Sequence, residues 1–164
     1  MKRLLADWAI AIAVALGLIV GATALDTIRR PSGVAPPLEL INIRGGKTSL
    51  VDLRGKVVVV NFWGSWCGPC RSEIPEISDF AGAHPDVAVL GVAVKSGTGE
   101  RLADSARLLG ITYEVLEGDT DTVDNWKVGV FPTTFIIGKD GRIAASRIGT
   151  VDREDLESMV EDAG

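Results

Sequence analysis

Cysteine and histidine are scarce in this sequence: its 164 residues include two cysteines and one histidine. Two thiols cannot build the disulfide framework of a small secreted domain or a four-thiolate metal site. His84 is the single histidine, which argues against a mixed Cys/His metal cluster within the chain. The net charge of −5, with no basic run, argues against a nucleic-acid-binding surface. The cysteine pair therefore needs an explanation other than a structural framework.

An uncharged segment lies close to the N-terminus. Trp8 to Leu25 contains no charged side chain, and its length suffices to cross the hydrocarbon core of a bilayer. We predict a transmembrane anchor at 8–25 after a short cytoplasmic tail, residues 1–7. Ala22-Thr23-Ala24 leaves open a cleaved signal peptide. Both interpretations send the following domain across the membrane, and residues 26–37, with proline, glycine and charge, predict a linker.

The pattern after this linker predicts an α/β domain with a mixed sheet over residues 38–164. Two continuous apolar, β-branched runs, 56–63 and 87–94, predict buried central strands. Residues 38–43 and 48–50 flank a glycine-containing turn and predict a β-hairpin. The other predicted elements are helices at 71–82, 98–109, 119–127 and 152–162, a turn at 52–55, a loop at 128–134, and strands at 111–116, 135–137 and 143–148.

Both cysteines lie in one motif, Trp66-Cys67-Gly68-Pro69-Cys70, between a predicted strand and a predicted helix. A C-x-x-C pair at a helix N-terminus is typical of redox chemistry, because free N–H groups and the helix dipole favour a thiolate there. We predict Cys67 as the nucleophile and Cys70 as the resolving thiol. Gly68 allows the turn, and Pro69 sets φ at the first helical position. A purely structural disulfide is disfavoured, since it would close too short a loop to stabilise much.

The motif and its surroundings resemble the thioredoxin superfamily. The similarity is strongest to its membrane-anchored TlpA/ResA/CcmG (DsbE)-like branch of thiol-disulfide oxidoreductases. Residues 61–75 resemble the active-site signature of that branch, 52–56 its entry turn and 132–135 its cis-proline segment. The resemblance implies a thioredoxin-like fold, a mixed central sheet flanked by helices. It also implies two additions, an N-terminal β-hairpin and a helix–strand insertion between Ser96 and Leu116.

The resemblance also implies roles for residues outside the cysteine pair. Pro132 would be a cis proline facing the cysteines, whereas most X-Pro bonds are trans. Phe131 would lie beside the dithiol, unless it only packs in the core. Asn61 stands where classical thioredoxins carry a buried aspartate, so Glu73 would supply the carboxylate that takes the proton of Cys70; the alternative is an exposed helix glutamate. Trp66 would line the docking surface or serve only in packing.

Together these observations predict an extracytoplasmic reductase of protein disulfides, held at the inner membrane by one span and needing no metal or cofactor. By resemblance, its substrate would be apocytochrome c and its electron donor a membrane dithiol protein of the CcdA or DsbD type. We predict a monomer that does not bind nucleic acid. The rival functions are a DsbA-type thiol oxidase, a copper-binding or copper-delivery module using the two thiolates, a peroxiredoxin, and a non-catalytic interaction domain.

Overall fold

The computed structural model describes residues 33–163. The predicted tail, the predicted anchor at 8–25 and the first part of the predicted linker lie outside these residues. Within 33–163, no helix combines the length and the apolar character needed to cross a bilayer. The described chain forms a six-stranded sheet, a separate two-stranded hairpin and four α-helices.

The six-stranded sheet is mixed, as predicted. Its strand order is β1-β8-β7-β4-β5-β6. Strands β4, β5 and β6 are parallel to one another, while β7, β8 and β1 join antiparallel on the other side of β4. The strands are β1 (Gly33–Val34), β4 (Val58–Trp63), β5 (Ala88–Val94), β6 (Glu114–Gly118), β7 (Thr133–Ile137) and β8 (Arg142–Ile148).

Strand β4 is the centre of this sheet, and all six of its side chains are buried. A strand covered on both faces reads as a continuous apolar run rather than an alternating one, which is why its sequence predicted it so clearly. On one face, Phe62 packs against Trp126 and Phe135, with ring centroids 5.5 and 5.9 Å away. On the other face lie α1 and α4. The helices are α1 (Gly68–Ala83), α2 (Glu100–Leu108), α3 (Thr120–Asn125) and α4 (Arg153–Glu161).

The predicted hairpin is present as β2 (Glu39–Ile41) and β3 (Lys47–Ser49), paired antiparallel. It is fastened to β6 through Asn42, which forms a bridge with Leu116 and donates from Nδ2 to Glu114 Oε1 at 2.6 Å. Thr48 Oγ1 donates to the same carboxylate oxygen. The hairpin thereby protects the edge of β6, which would otherwise present unpaired backbone groups.

Several element boundaries differ from the sequence prediction. The linker was predicted to extend to residue 37, but Gly33 and Val34 pair with Ile143 and Arg142 of β8, so the folded domain starts before residue 38. A 3-10 helix, Leu50–Leu53, overlaps the turn predicted at 52–55 and includes Leu50, which was predicted as the last residue of the hairpin. Strand β6 begins at Glu114 rather than 111, since the Ile111 N–H still bonds to the end of α2.

Candidate active site: a disulfide at the start of helix α1

The dithiol lies where β4 runs into α1. Cys67 is the N-cap residue of α1, and its backbone N–H donates to the carbonyl of Gly64 at 3.0 Å. Cys67 and Cys70 form a disulfide, with Cα atoms 5.3 Å apart. The Cys70 N–H also donates to Cys67 Sγ at 3.2 Å, so this sulfur receives one of the free N–H groups of the helix N-terminus. Pro69 stands at the second helical position rather than at the predicted first.

The two sulfurs differ in their access to solvent. Cys67 retains 5% of its surface, whereas Cys70 is completely buried. Gly68 and Pro69, between them, are exposed and leave the approach to Cys67 open. An incoming sulfur can therefore meet Cys67 first, while Cys70 can react only within the protein.

Trp66 forms an aromatic wall beside Cys67, although 56% of its surface is exposed. Its Nε1 donates to the Val94 carbonyl at 3.0 Å, and its ring meets Phe131 edge-on with centroids 5.5 Å apart. The indole also lies directly on Gly64, where a methyl group would be 2.6 Å from it. Three contacts thus fix an exposed tryptophan in one position, as a preformed binding surface requires.

Pro132 follows Phe131 through a cis peptide bond, as predicted. Its carbonyl accepts from the Gly149 N–H at 2.9 Å, and Thr133 after it opens β7. Phe131 is half-buried and packs on the apolar cluster that contains both cysteines. The structure therefore brings Phe131 to the dithiol. The loop predicted at 128–134 ends two residues early, because Thr133 and Thr134 pair with strands on both sides.

Glu73 is a buried carboxylate, one turn after Cys70 in α1. Only 2% of its surface is exposed, so the alternative of an exposed helix glutamate is wrong. Its Oε1 accepts from Asn61 Nδ2 at 2.8 Å, and its Oε2 accepts from the Val151 N–H at 3.0 Å. Burial raises the pKa of Glu73 from 4.5 to about 7, because the loss of solvation outweighs these two hydrogen bonds. Glu73 can therefore gain or lose a proton near neutral pH.

Asn61 connects this carboxylate to the centre of the sheet. Its Nδ2 donates both to Glu73 and to Thr134 Oγ1, the latter at 3.0 Å. Sequence reasoning named Asn61 and Glu73 but missed Thr134, which accepts from Asn61, and Val151, which donates to Glu73. Thr134, a polar residue in an apolar strand, gave a signal. No sequence signal points to the Val151 backbone N–H, because its position next to Glu73 depends on where the chain passes α1 after β8.

Among residues 33–163, no group of three or more His, Cys, Asp or Glu side chains is placed to hold a metal ion. His84 lies stacked on Phe80, with ring centroids 4.4 Å apart, near the C-terminal end of α1. The cysteines lie at the opposite end of this 16-residue helix, so His84 cannot join them as a ligand.

Comparison with known proteins agrees with this geometry. The model of the AhpC/TSA family matches residues 31–146. Thiol-disulfide oxidoreductase ResA of Geobacillus kaustophilus is 35% identical over 129 residues, which are 77% of this chain and 74% of ResA. Sporulation thiol-disulfide oxidoreductase A of Bacillus subtilis is 26% identical over 152 residues, covering 90% of this chain and 92% of the relative.

Solved structures show the same likeness. The crystal structure of a Chlorobium tepidum protein assigned as thiol:disulfide interchange protein DsbE superposes with a TM-score of 0.73 at 27% identity. The match covers 82% of this chain and 99% of that one. A thioredoxin-like sheet with a cysteine pair at the start of α1 defines a thiol-disulfide oxidoreductase. This chain belongs to the AhpC/TSA family and, within it, to the TlpA/ResA/CcmG-like thiol-disulfide oxidoreductases.

Proposed function

We propose that this protein is a membrane-tethered extracytoplasmic reductase of protein disulfides. The observation that carries the proposal is the difference in solvent exposure between the two sulfurs. Cys67 keeps a small exposed surface, whereas Cys70 is completely buried, and a buried carboxyl that titrates near neutrality, that of Glu73, follows Cys70 by one turn of α1. A dithiol arranged in this way supports a nucleophile that meets the substrate and a resolving thiol that needs a base inside the protein.

The reaction runs from the reduced form of the pair. The Cys67 thiolate attacks one sulfur of a substrate disulfide, forming a mixed disulfide and releasing the other substrate sulfur as a thiolate. Cys70 gives its proton to Glu73 and attacks Cys67 Sγ. The Cys67–Cys70 disulfide forms, and the second substrate sulfur leaves and is protonated. Two electrons pass to the substrate for each disulfide formed in the enzyme.

The surface around Cys67 supports a polypeptide substrate. Trp66, Val130 and Ile148 are large apolar side chains, and each is about half exposed. Phe131 packs on the cluster that contains the dithiol and meets the Trp66 ring, and Pro132 follows Phe131 in the chain. Exposed apolar residues clustered at a reactive centre are typical of a site that binds another protein. We place the substrate chain along these side chains.

The tether and the partners rest on the sequence. The uncharged segment 8–25 supports an anchor in the inner membrane, with the domain on the periplasmic side. Each turnover leaves the enzyme oxidised, so a membrane dithiol donor of the CcdA or DsbD type must restore it. A thiol pair kept reduced outside the cytosol would serve apocytochrome c, whose C-x-x-C-H haem-attachment motif needs free thiols.

A trapping experiment tests this function. With Cys70→Ser in the full-length chain, the mixed disulfide on Cys67 cannot be resolved, so the physiological partner accumulates and mass spectrometry identifies it. The double variant Cys67→Ser/Cys70→Ser is the matched control and should trap nothing. An apocytochrome c peptide linked through its haem-attachment cysteines is the expected partner.

The redox potential separates a reductase from its main rival. A Cys67–Cys70 potential of about −270 mV or lower supports the reductase, whereas one of about −120 mV would identify a DsbA-type oxidase. Stoichiometric Cu(I) binding by the reduced protein, without disulfide reduction, would instead favour copper delivery. The DsbA and copper alternatives are not favoured by the relatives described above, whose names are those of thiol-disulfide oxidoreductases.

A further inference from the structure

Two buried side chains with polar atoms, those of Tyr113 and Trp63, lie against Gly91, and a third, that of Asn61, belongs to its register partner. Gly91 in β5 is the register partner of Asn61 in β4. A methyl group at Gly91 would lie 2.7 Å from Cε2 of Tyr113 and 3.0 Å from Nε1 of Trp63. Only glycine gives the Tyr113 ring and the Trp63 indole this close approach. The Tyr113 phenol therefore lies against β5 at the position opposite Asn61, the residue of β4 that donates to Glu73.

Each of these side chains has a polar atom without a hydrogen-bond partner among the described residues. The three atoms are Asn61 Oδ1, Trp63 Nε1 and the Tyr113 hydroxyl. Their residues are 1%, 0% and 6% exposed, so solvent does not satisfy them. Asn61 Oδ1 is an acceptor, the indole N–H is a donor fixed by its ring, and the hydroxyl proton can rotate. Unpaired buried polar groups are costly and call for a specific explanation.

We propose that Tyr113 is a positioning residue for Glu73 and acts on it through Asn61, an inference that rests on the proposed role of Glu73. When Glu73 ionises, the Tyr113 hydroxyl donates to Asn61 Oδ1. This bond polarises the amide whose Nδ2 already donates to Glu73 Oε1. The two dipoles line up in series toward the negative charge. When Glu73 is neutral, nothing orients the hydroxyl, so the arrangement favours the charged carboxylate.

The electrostatics of the pair agree with this geometry. Burial raises the pKa of Tyr113, and the negative charge of Glu73 raises it further, so the phenol and the carboxylate lie within each other's field. The phenol therefore stays protonated throughout the range in which Glu73 titrates. The Tyr113 hydroxyl therefore remains a donor at these pH values and has no hydrogen-bond partner among residues 33–163, so it is free to reorient when Glu73 becomes charged.

Other charged groups also face Glu73, and they must be separated from the effect of Tyr113. On β4 the neutral Asn61 side chain donates to Glu73, and on β7 the neutral Thr134 side chain accepts from Asn61. The charged side chains around it, on α1, on α4 with its N-cap, and on β8, are Glu76, Asp152, Asp155 and Arg147. None of these contacts Tyr113 through a hydrogen bond or ion pair. A substitution at Tyr113 that keeps the ring therefore leaves their influence on Glu73 unchanged.

The test uses the full-length protein in detergent micelles, with its side-chain carboxyls labelled with ¹³C. Glu73→Gln assigns the Glu73 signal, and its pKa is measured by titration in the wild type and in Tyr113→Phe. Phenylalanine keeps the ring over Gly91 and removes only the hydroxyl. We expect the pKa of Glu73 to rise by up to about one unit, which is the free energy of one neutral hydrogen bond expressed as a pKa shift. An unchanged or lowered pKa would overturn the proposal.

A second measurement needs no variant and covers the case in which Tyr113→Phe does not fold. Tyr113 is the only tyrosine of the chain, so its ¹³Cζ signal needs no assignment. That signal and the Asn61 side-chain amide signals should follow the Glu73 titration in the wild type. A ¹³Cζ signal that is flat across this range would also overturn the proposal. If the coupling is present but the protein reduces no disulfide, the proposed function fails and this inference stands.

Discussion

Asn61 and Glu73 are joined by a hydrogen bond of 2.8 Å between β4 and α1. This bond anchors the carboxylate to the most deeply buried strand of the sheet. The same arrangement removes the carboxylate from water, which is why Glu73 holds its proton to about pH 7. The stability of the fold therefore depends on this protonation, and under the role proposed for Glu73 the chemistry of the dithiol depends on it too.

The first prediction concerns stability against pH. The folded state binds the Glu73 proton up to about pH 7, whereas the unfolded chain releases it near 4.5. Between these values the folded state holds more protons, so the free energy of unfolding falls as the pH rises, by about 3 kcal/mol from this group. Glu73→Gln should remove this slope and be the more stable protein at pH 8. Urea unfolding of the oxidised protein at pH 4.5, 6 and 8 measures it.

Glu76→Gln is the matched control for that experiment. Glu76 lies almost one turn further along α1 and is exposed, so its replacement should leave the slope as in the wild type. A wild-type slope retained in Glu73→Gln would show that another group carries the buried charge.

The second prediction concerns the rate of the resolving step. If Glu73 accepts the proton of Cys70, release of substrate from the mixed disulfide should accelerate as the pH rises through about 7. Glu73→Gln should flatten this profile and slow the step at pH 8 on the order of a hundredfold. Stopped-flow measurement of thiol release from a preformed Cys67 mixed disulfide isolates the step. A Gln variant with an unchanged profile would exclude Glu73 as the base.

The third prediction concerns the aromatic wall beside Cys67. Gly64→Ala places a methyl group 2.6 Å from the Trp66 indole, which must move and lose its bond to Val94 and its contact with Phe131. Together these are worth about 1–3 kcal/mol. We expect kcat/KM for a protein disulfide to fall roughly tenfold, with little change for a small aromatic disulfide.

Gly82→Ala serves as the control for that variant, because a methyl group at Gly82 meets no atom within 4 Å. It should leave both activities unchanged. The Trp66 indole N–H signal in an NMR spectrum reports directly whether Gly64→Ala displaces the ring. Equal losses on both substrates, with the indole signal unmoved, would contradict the prediction.

The fourth prediction concerns Thr134, the second acceptor of the Asn61 amide. Thr134→Val keeps the shape of the side chain but leaves a buried N–H of Asn61 without a partner. The free energy of unfolding should drop by about 1–3 kcal/mol. Chemical denaturation measures this, and Thr150→Val, at an exposed threonine, should change it little. A neutral Thr134→Val would mean that the Asn61 amide is satisfied elsewhere.

Sequence reasoning succeeded where the signal is local. The apolar run of β4, the adjacent C-x-x-C pair and the start of α1 are contiguous, so spacing and propensity specify them together. It was weaker where a partner lies far along the chain. Glu73 and Val151 are 78 positions apart, and nothing near Glu73 tells whether it is buried. The Thr133–Thr134 pair resembled a loop because its β character comes from pairing on both sides.

The smallest strand shows a similar limit. Gly33 and Val34 carry no periodicity of their own, and only the exposed edge of β8 makes them a strand. The sequence likewise predicted Tyr113 as part of a strand and assigned it no function. Its ring lies against Gly91 of a different strand, and the sequence near Tyr113 does not indicate that contact. Both relationships depend on which residues are paired across neighbouring strands, and the local sequence around each residue does not specify that pairing.

The pairing of β1 also determines where the described chain joins the sheet. Gly33 lies opposite Ile143, Ile143 lies opposite Ile137, and Ile137 lies opposite Val58 at the start of β4. Cys67 follows the other end of that strand, roughly 17 Å away along its axis at about 3.3 Å per residue. The described chain therefore enters the sheet, at Gly33, on the side where β4 begins, whereas its reactive sulfur lies beyond the end of β4.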